Sequence, residues 1–265
     1  MSLTHLPSNV GRRIYNKRGV EIYLSKDERY VYKFSSSDIS REYEMMNLVQ
    51  SSYTVSAINY IETNYWNCLI MPAFLEGDAF TLIEKQEISE QITKQIIYDV
   101  IKGLADLESE HIIHHDIKPE NVFLYKRGKT IHAKIGDFEF AERFGEDNIE
   151  IGGSLLYTAP EILTDHPYSF KSDMWSVGVF MAVFLTHSMP FSGRNKRIVL
   201  KQILRNKIIL SKDFSQEAQD LLDKLLCIDP DDRITVAEAL QHSWFNDIEQ
   251  LNDIPYNDID IQSNN

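Results

Sequence analysis

His114-His115-Asp116-Ile117-Lys118-Pro119-Glu120-Asn121-Val122-Phe123-Leu124 is the stretch on which the fold of this chain turns. The eight residues from His114 to Asn121 offer a carboxylate, an ammonium and a side-chain amide, with apolar residues placed to anchor a loop. Phosphoryl transfer asks little covalent chemistry of a protein and rests on positioning and on cations around the developing charge. For that task Asp116 can accept a hydroxyl proton, Lys118 can face the transferring phosphate and Asn121 can hold a metal. His114 and His115 also suit a bland role as packed histidines. A zinc site is not supported, because no Cys or third His stands at ligand spacing nearby.

The segment resembles the catalytic loop of eukaryotic-type protein kinases, H-R-D-x-x-x-x-N. Lys118 gives it the serine/threonine form, and His115 replaces the family arginine. Small-molecule phosphotransferases share the Asp and the Asn, so the loop alone leaves both classes open. The resemblance implies an α+β, bilobal protein kinase fold, with a small antiparallel β-sheet N-lobe bearing one helix and a mainly helical C-lobe. It covers roughly residues 10 to 245. The expected division is an N-lobe over about residues 10–72, a hinge at about 72–76, a C-lobe over about 77–245 and an acidic tail at 246–265, all one kinase domain.

Downstream of the loop, Val122 to Tyr125 and His132 to Ile135 read as a hairpin. The resemblance makes Phe123 the floor under an adenine. Asp137-Phe138-Glu139 is similar to D-F-G, in which the Asp chelates Mg²⁺. Glu139 replaces a glycine that would allow freer backbone conformations, so this loop is expected to flip less easily. Gly152-Gly153-Ser154 to Ala159-Pro160-Glu161 resembles the substrate loop ending in A-P-E, which implies that Ser154 bridges Asp116 and Lys118. Between Phe138 and Gly153 there is no Ser, Thr or Tyr. A phosphate there would act by pairing with basic side chains, and the catalytic-loop Arg that would read it is missing too. Activity without activation-loop phosphorylation is the expectation. Farther on, Asp173 in Ser172-Asp173-Met174-Trp175-Ser176 resembles the residue that holds the catalytic loop's backbone, and Arg233 the one that pairs with Glu161.

Upstream, Glu90 to Glu110 carries a strong apolar helical stripe that leads into the loop. Cys68 to Phe74 runs from a buried strand into what resembles the hinge, with Met71 as gatekeeper and Ala73 and Phe74 among the adenine contacts. Asp78 lies where the family places an acid near the ribose and near basic substrate residues. Tyr53 to Tyr60 and Trp66 to Met71 read as two strands. In the helix over Ser40 to Ser51, Glu42 shares a face with Met45, Met46 and Val49. A carboxylate on that inward face needs a cation, and the resemblance supplies Lys33 of Val31-Tyr32-Lys33, the partner of the α- and β-phosphates.

Ile14 to Leu24 and Tyr30 to Phe34 form β-rich runs around the Ser25–Arg29 turn. This is where the family's G-x-G-x-x-G should lie, with Ile22 and Val31 against the nucleotide. Only Gly11 and Gly19 remain of it, with Arg12, Arg13, Lys17 and Arg18 between. Either these basic side chains partly replace the backbone cradle around ATP, with Gly11 kept as its first element, or the loop belongs to a poor nucleotide binder. The second case is a pseudokinase scaffold, the main alternative to an ATP- and Mg²⁺-dependent serine/threonine kinase.

Composition bounds the rest. A chain of 265 residues, 43% hydrophobic and 25% charged, fits one globular domain or two joined lobes. A net charge of -13 argues against direct nucleic-acid binding and suits basic protein substrates. Cys68 and Cys227 give no disulfide framework, so an intracellular, cytoplasmic or nuclear setting is expected. Met1 to Arg13 has no apolar run of a secretory signal, and Met174 to Leu185 is too short to span a bilayer. The C-lobe wording is most similar to the calcium/calmodulin-dependent group, within a compact form that resembles microbial or viral kinases. The tail after Phe245 lacks Lys and Arg, so no calmodulin control is expected, and the chain past Tyr256 is expected to be poorly ordered.

Overall fold

Alternating β-branched and aromatic residues place one face of each early strand inward, and in the computed structural model they build the first layer. The structure describes residues 7–17, 19–86, 88–146, 153–205 and 207–248. Strands β1 (Val10–Lys17), β2 (Val20–Ser25), β3 (Tyr30–Ser35), β4 (Asn59–Glu62) and β5 (Asn67–Pro72) form an antiparallel sheet in the order β1-β2-β3-β5-β4. Its register sets Lys33 between Ile22 and Leu69, and Val31 opposite Met71. One side of the sheet packs Phe34 edge-on against Tyr23 and Trp66. Helix α1 (Ser40–Leu48) turns Glu42, Met45 and Met46 inward.

One expected strand starts late: of the stretch Tyr53 to Tyr60, only Asn59 and Tyr60 belong to β4. Residues 53–57 do not join the sheet, which the chain reaches when the Ile58 amide donates to the Ile70 carbonyl at 2.8 Å; Val55 donates to the Ile135 carbonyl at 2.7 Å and the Tyr53 carbonyl accepts from the Ile135 amide at 2.8 Å. Tyr53, Thr54, Val55 and Ser56 are buried in succession, without the in-and-out alternation of a strand, and β4 begins only at Asn59.

The second layer is mainly helical. After α2 (Ala79–Lys85), α3 (Glu90–Ser109) starts on Ser89, whose hydroxyl accepts from the Ile92 amide, the expected N-cap geometry. It leads to β6 (Ile112–Ile113), then the catalytic-loop segment, then the hairpin β7 (Val122–Arg127) and β8 (Thr130–Ile135). A short strand β9 (Glu142–Arg143) pairs with β6. Helix α4 (Pro160–Leu163) precedes α5 (Phe170–Thr186), which is buried from Ser172 to Leu185 and forms the centre of this layer. Helices α6 (Lys196–Ile203), α7 (Gln216–Leu225) and α8 (Val236–Leu240) close around it. Both thiols are free, Cys68 buried and Cys227 partly exposed.

Among the described residues no helix is long and apolar enough to cross a membrane. Arg18, Gly152 and the tail from residue 249 lie outside the described residues, as do the expectations placed on them.

Candidate active site

The loop between β6 and β7 is fixed from beneath by α5. Asp173 accepts from the backbone amides of His114 at 2.8 Å and of His115 at 3.0 Å. Burial pushes its carboxyl up to about 7, against those two amide donors. His115 takes a left-handed φ of 68°, a conformation uncommon for a non-glycine residue, and the paired amides hold it there. The His114 ring is buried and kept neutral by that burial. Its Nε2 lies 3.1 Å from the Gly136 carbonyl while Nδ1 accepts from the Asp116 amide, so it is the packed histidine of the bland reading.

Asp116 is 3% exposed. Its Oδ2 accepts from Lys118 Nζ at 2.5 Å and from Asn121 Nδ2 at 2.9 Å, and the same amide nitrogen donates to the Asp116 carbonyl. Its Oδ1 is buried and has no partner. Lys118 also donates to Ser154 Oγ at 2.9 Å, so the hydroxyl reaches Asp116 through the ammonium between them. Gly153 brings the two segments that close. A Cβ there would stand 2.7 Å from the His115 carbonyl, and its φ is 94°.

Lys33 lies across the cleft with its ammonium 2.8 and 2.9 Å from the two Glu42 oxygens and 3.0 Å from Asp137 Oδ1. Burial opposes that charge, but the two carboxylates outweigh burial and raise the Lys33 pKa. Burial pushes Glu42 up to about 7, with Lys33 pulling it back. Burial likewise opposes the Asp137 carboxylate, and Lys33 more than compensates and lowers its pKa. Phe138 is buried, edge-on to His114 at 5.0 Å, and stays out of the nucleotide cleft.

The adenine end is less uniform. Phe123 stacks on Phe74 at 5.6 Å between centroids, and Gly136 is glycine because a Cβ would stand 2.6 Å from the Phe123 ring. The Ala73 amide donates to the Arg29 carbonyl, which leaves Ala73 only its carbonyl and methyl for a ligand. Asp78 uses one carboxylate oxygen, Oδ1, to cap α2, accepting from the Thr81 amide and hydroxyl. Gly11 has a packing reason of its own, since a Cβ would stand 2.6 Å from the Leu24 carbonyl. Arg12, Arg13 and Lys17 are exposed along β1.

The residue types fit a divalent cation that arrives with phosphates. Mg²⁺ takes one or two protein oxygens plus substrate phosphates rather than an all-protein cage. Asp137 keeps about a third of its side chain exposed, and among the described residues no set of three His, Cys, Asp or Glu forms a closed metal site. Arg233 makes a bidentate pair with Glu161 at 2.7 and 2.8 Å and lies over the Trp175 ring. It fixes the end of the substrate-side segment to the loop before α8.

One link had no signal in the sequence. Arg41, beside Glu42 on α1, pairs with Glu146, 105 residues away.

The protein kinase domain family matches residues 12–245. The chain is 34% identical to a serine/threonine-protein kinase H1 homolog of Pinctada fucata over 77% of its own length and 51% of that protein. It is 29% identical to human serine/threonine-protein kinase H1 over 88% of its length and 57% of that protein. It is 31% identical to human death-associated protein kinase 2 over 81% and 60%. The chain thus spans about half the length of the curated relatives it matches. With lysine, glutamate and two aspartates assembled as described and the family match running through all of them, the chain belongs to the protein kinase family.

Proposed function

We propose that the chain is an ATP- and Mg²⁺-dependent serine/threonine kinase organised as one domain hinged at residues 72–76. The observation that carries this is Asp116. One oxygen is saturated by Lys118 and Asn121, and the other is a buried acceptor without a partner. Leaving such an acceptor unpaired is costly, and an incoming alcohol would satisfy it and lose its proton to it. Lys118 holds the carboxylate and offsets charge on the group in transfer, and Ser154 holds Lys118. Lys33, fixed by Glu42, would receive the α- and β-phosphates, with Ile22, Val31, Met71, Ala73, Phe74 and Phe123 around the base. Asn121 and Asp137 would hold Mg²⁺, which when bound neutralises phosphate charge.

Activity without activation-loop phosphorylation is supported at His115. Its ring is packed edge-on under Tyr168 at 4.0 Å and beside Glu142, where no phosphate could reach it. Basic substrates suit the net charge of -13 and the exposed Glu120. Asp78 is a weaker contributor because it already caps α2.

The test is transfer of radiolabelled γ-phosphate to a basic protein by bacterially made, phosphatase-treated protein. Wild type should label the acceptor, and Asp116→Asn should lose about 10²- to 10⁴-fold in rate while keeping its ATP-induced thermal shift. Peptides with an upstream Arg should react faster than those without; equal rates remove the substrate preference. The close packing of Gly11 favours the scaffold alternative, and a wild type showing neither labelling nor a nucleotide shift would establish it.

A further inference from the structure

Helix α1 has little of its own to keep it in place. It spans nine residues, starts on Ile39, which has no capping side chain, with only Asp38 accepting from the Ser40 amide at 2.8 Å, and has no basic residue in its last turn; nine residues are too few to be stable alone. Its inward face buries a carboxylate, Glu42, which burial makes harder to ionise. The outward neighbour, Arg41, pairs with Glu146. Glu146 is itself fixed in a turn after β9, with its amide on the Arg143 carbonyl at 3.1 Å and Gly145 at a φ of 89°. That turn is tied to the chain entering the catalytic loop, through the β6–β9 pair and the Phe144 amide on the His111 carbonyl at 2.7 Å. Burial raises Glu142, Arg41 pulls it back and Glu146 pushes it up, so the three charges share one field.

We propose that Glu146 is a positioning residue, which through Arg41 holds α1 where Glu42 meets Lys33 and so couples the sheet layer to the segment beside Asp116. The assignment rests on the kinase reading above and names what keeps its site assembled. The segment from Phe138 to Gly153 has no hydroxyl to phosphorylate, and Glu146 supplies a permanent anion in the place of one that would have to be added.

The experiment compares wild type, Glu146→Gln, Glu146→Arg and the swapped pair Arg41→Glu with Glu146→Arg. Each is assayed for kcat, for KM of ATP and of peptide, and for thermal shift with ATP and Mg²⁺. Both partners are partly exposed, with side-chain exposures of 49% and 38%, so the pair is worth a surface pair's energy, and because that energy goes into positioning Glu42, Glu146→Gln should lose about two- to five-fold in kcat/KM for ATP. Glu146→Arg should lose more, with a smaller nucleotide shift, while the peptide KM and the nucleotide-free melting temperature stay put. The swapped pair should recover both readouts, which ties the loss to the pair, and the unmoved nucleotide-free melting temperature separates positioning from a purely structural defect. The two readings fail separately. A wild type without transfer overturns the kinase reading; an active wild type matched by Glu146→Arg, or a loss that the swap does not repair, overturns the role of Glu146.

Discussion

At His115 the sequence departs from its family, and the structure shows the consequence of that single change. The ring side chain is 4% exposed, and Nε2 lies 3.0 Å from Glu142 Oε1 yet out of line for a hydrogen bond, so neither ring nitrogen has a partner. Burial, and then the neighbouring His114, lowers its pKa to about 3. The ring is therefore neutral in the fold, and the contact is proximity rather than an ion pair. The unfolded chain, with an ordinary histidine near 6.5, binds a proton that the folded chain refuses between about pH 6.5 and 3. Stability tied to this ring is fully present above pH 6.5 and is lost as pH falls, at about 1.4 kcal/mol per unit. His115→Leu should remove that slope. Urea unfolding of both proteins at pH 7.5, 6 and 5 checks it: the gap should widen in favour of the variant below pH 6.5, and parallel curves would mean a protonated ring paired with Glu142.

Among the elements, α3 and β8 form a close junction under the site. Gly103 on α3 faces Ile135, and an added Cβ would stand 2.8 Å from Ile135 Cδ1 and 2.9 Å from the Tyr53 carbonyl. Alanine in a helix interior gains about 1 kcal/mol over glycine, while overpacking costs about 1–3 kcal/mol. Because one clashing atom is backbone and cannot rotate away, the cost should win, and Gly103→Ala should melt below wild type in a calorimetric scan. A higher melting temperature would show that the junction has room. The same junction explains why the expected strand starts late. Tyr53 and Val55 have strand-forming side chains, but they bond to Ile135, a partner from the other layer that local pattern does not reveal. Helix α3 itself was legible because its stripe is long and its cap, Ser89, lies next to it in sequence.

Over the whole molecule, the residues proposed as catalytic are legible in the sequence wherever one short segment holds them. Asp116, Lys118 and Asn121 sit in one loop, and Glu42 is legible as a carboxylate on an apolar helix face that needs a cation. What stayed hidden was which neighbours, near or far in sequence, occupy the groups that a ligand would need. The Ala73 amide is taken by Arg29, one Asp78 carboxylate oxygen by Thr81, and the missing Cβ of Gly11 by the Leu24 carbonyl. Each is a local competitor for a group that the family resemblance assigns to a ligand. The Arg41–Glu146 link joins two surface residues of no particular pattern, and only the folded chain sets them side by side.

The two sulfurs offer a last consequence. Cys68 is wholly buried in the sheet layer with its thiol pushed up to about 12 by burial, whereas Cys227 is partly open beyond α7. Thiolate and access together set reactivity. A maleimide dye should therefore attach to the native protein once, at Cys227, and twice after denaturation, as intact-mass spectrometry would count. Without any mutagenesis, the molecule carries a single handle for a reporter on the helical layer; two adducts on the folded chain would show that the sheet layer opens on the labelling timescale.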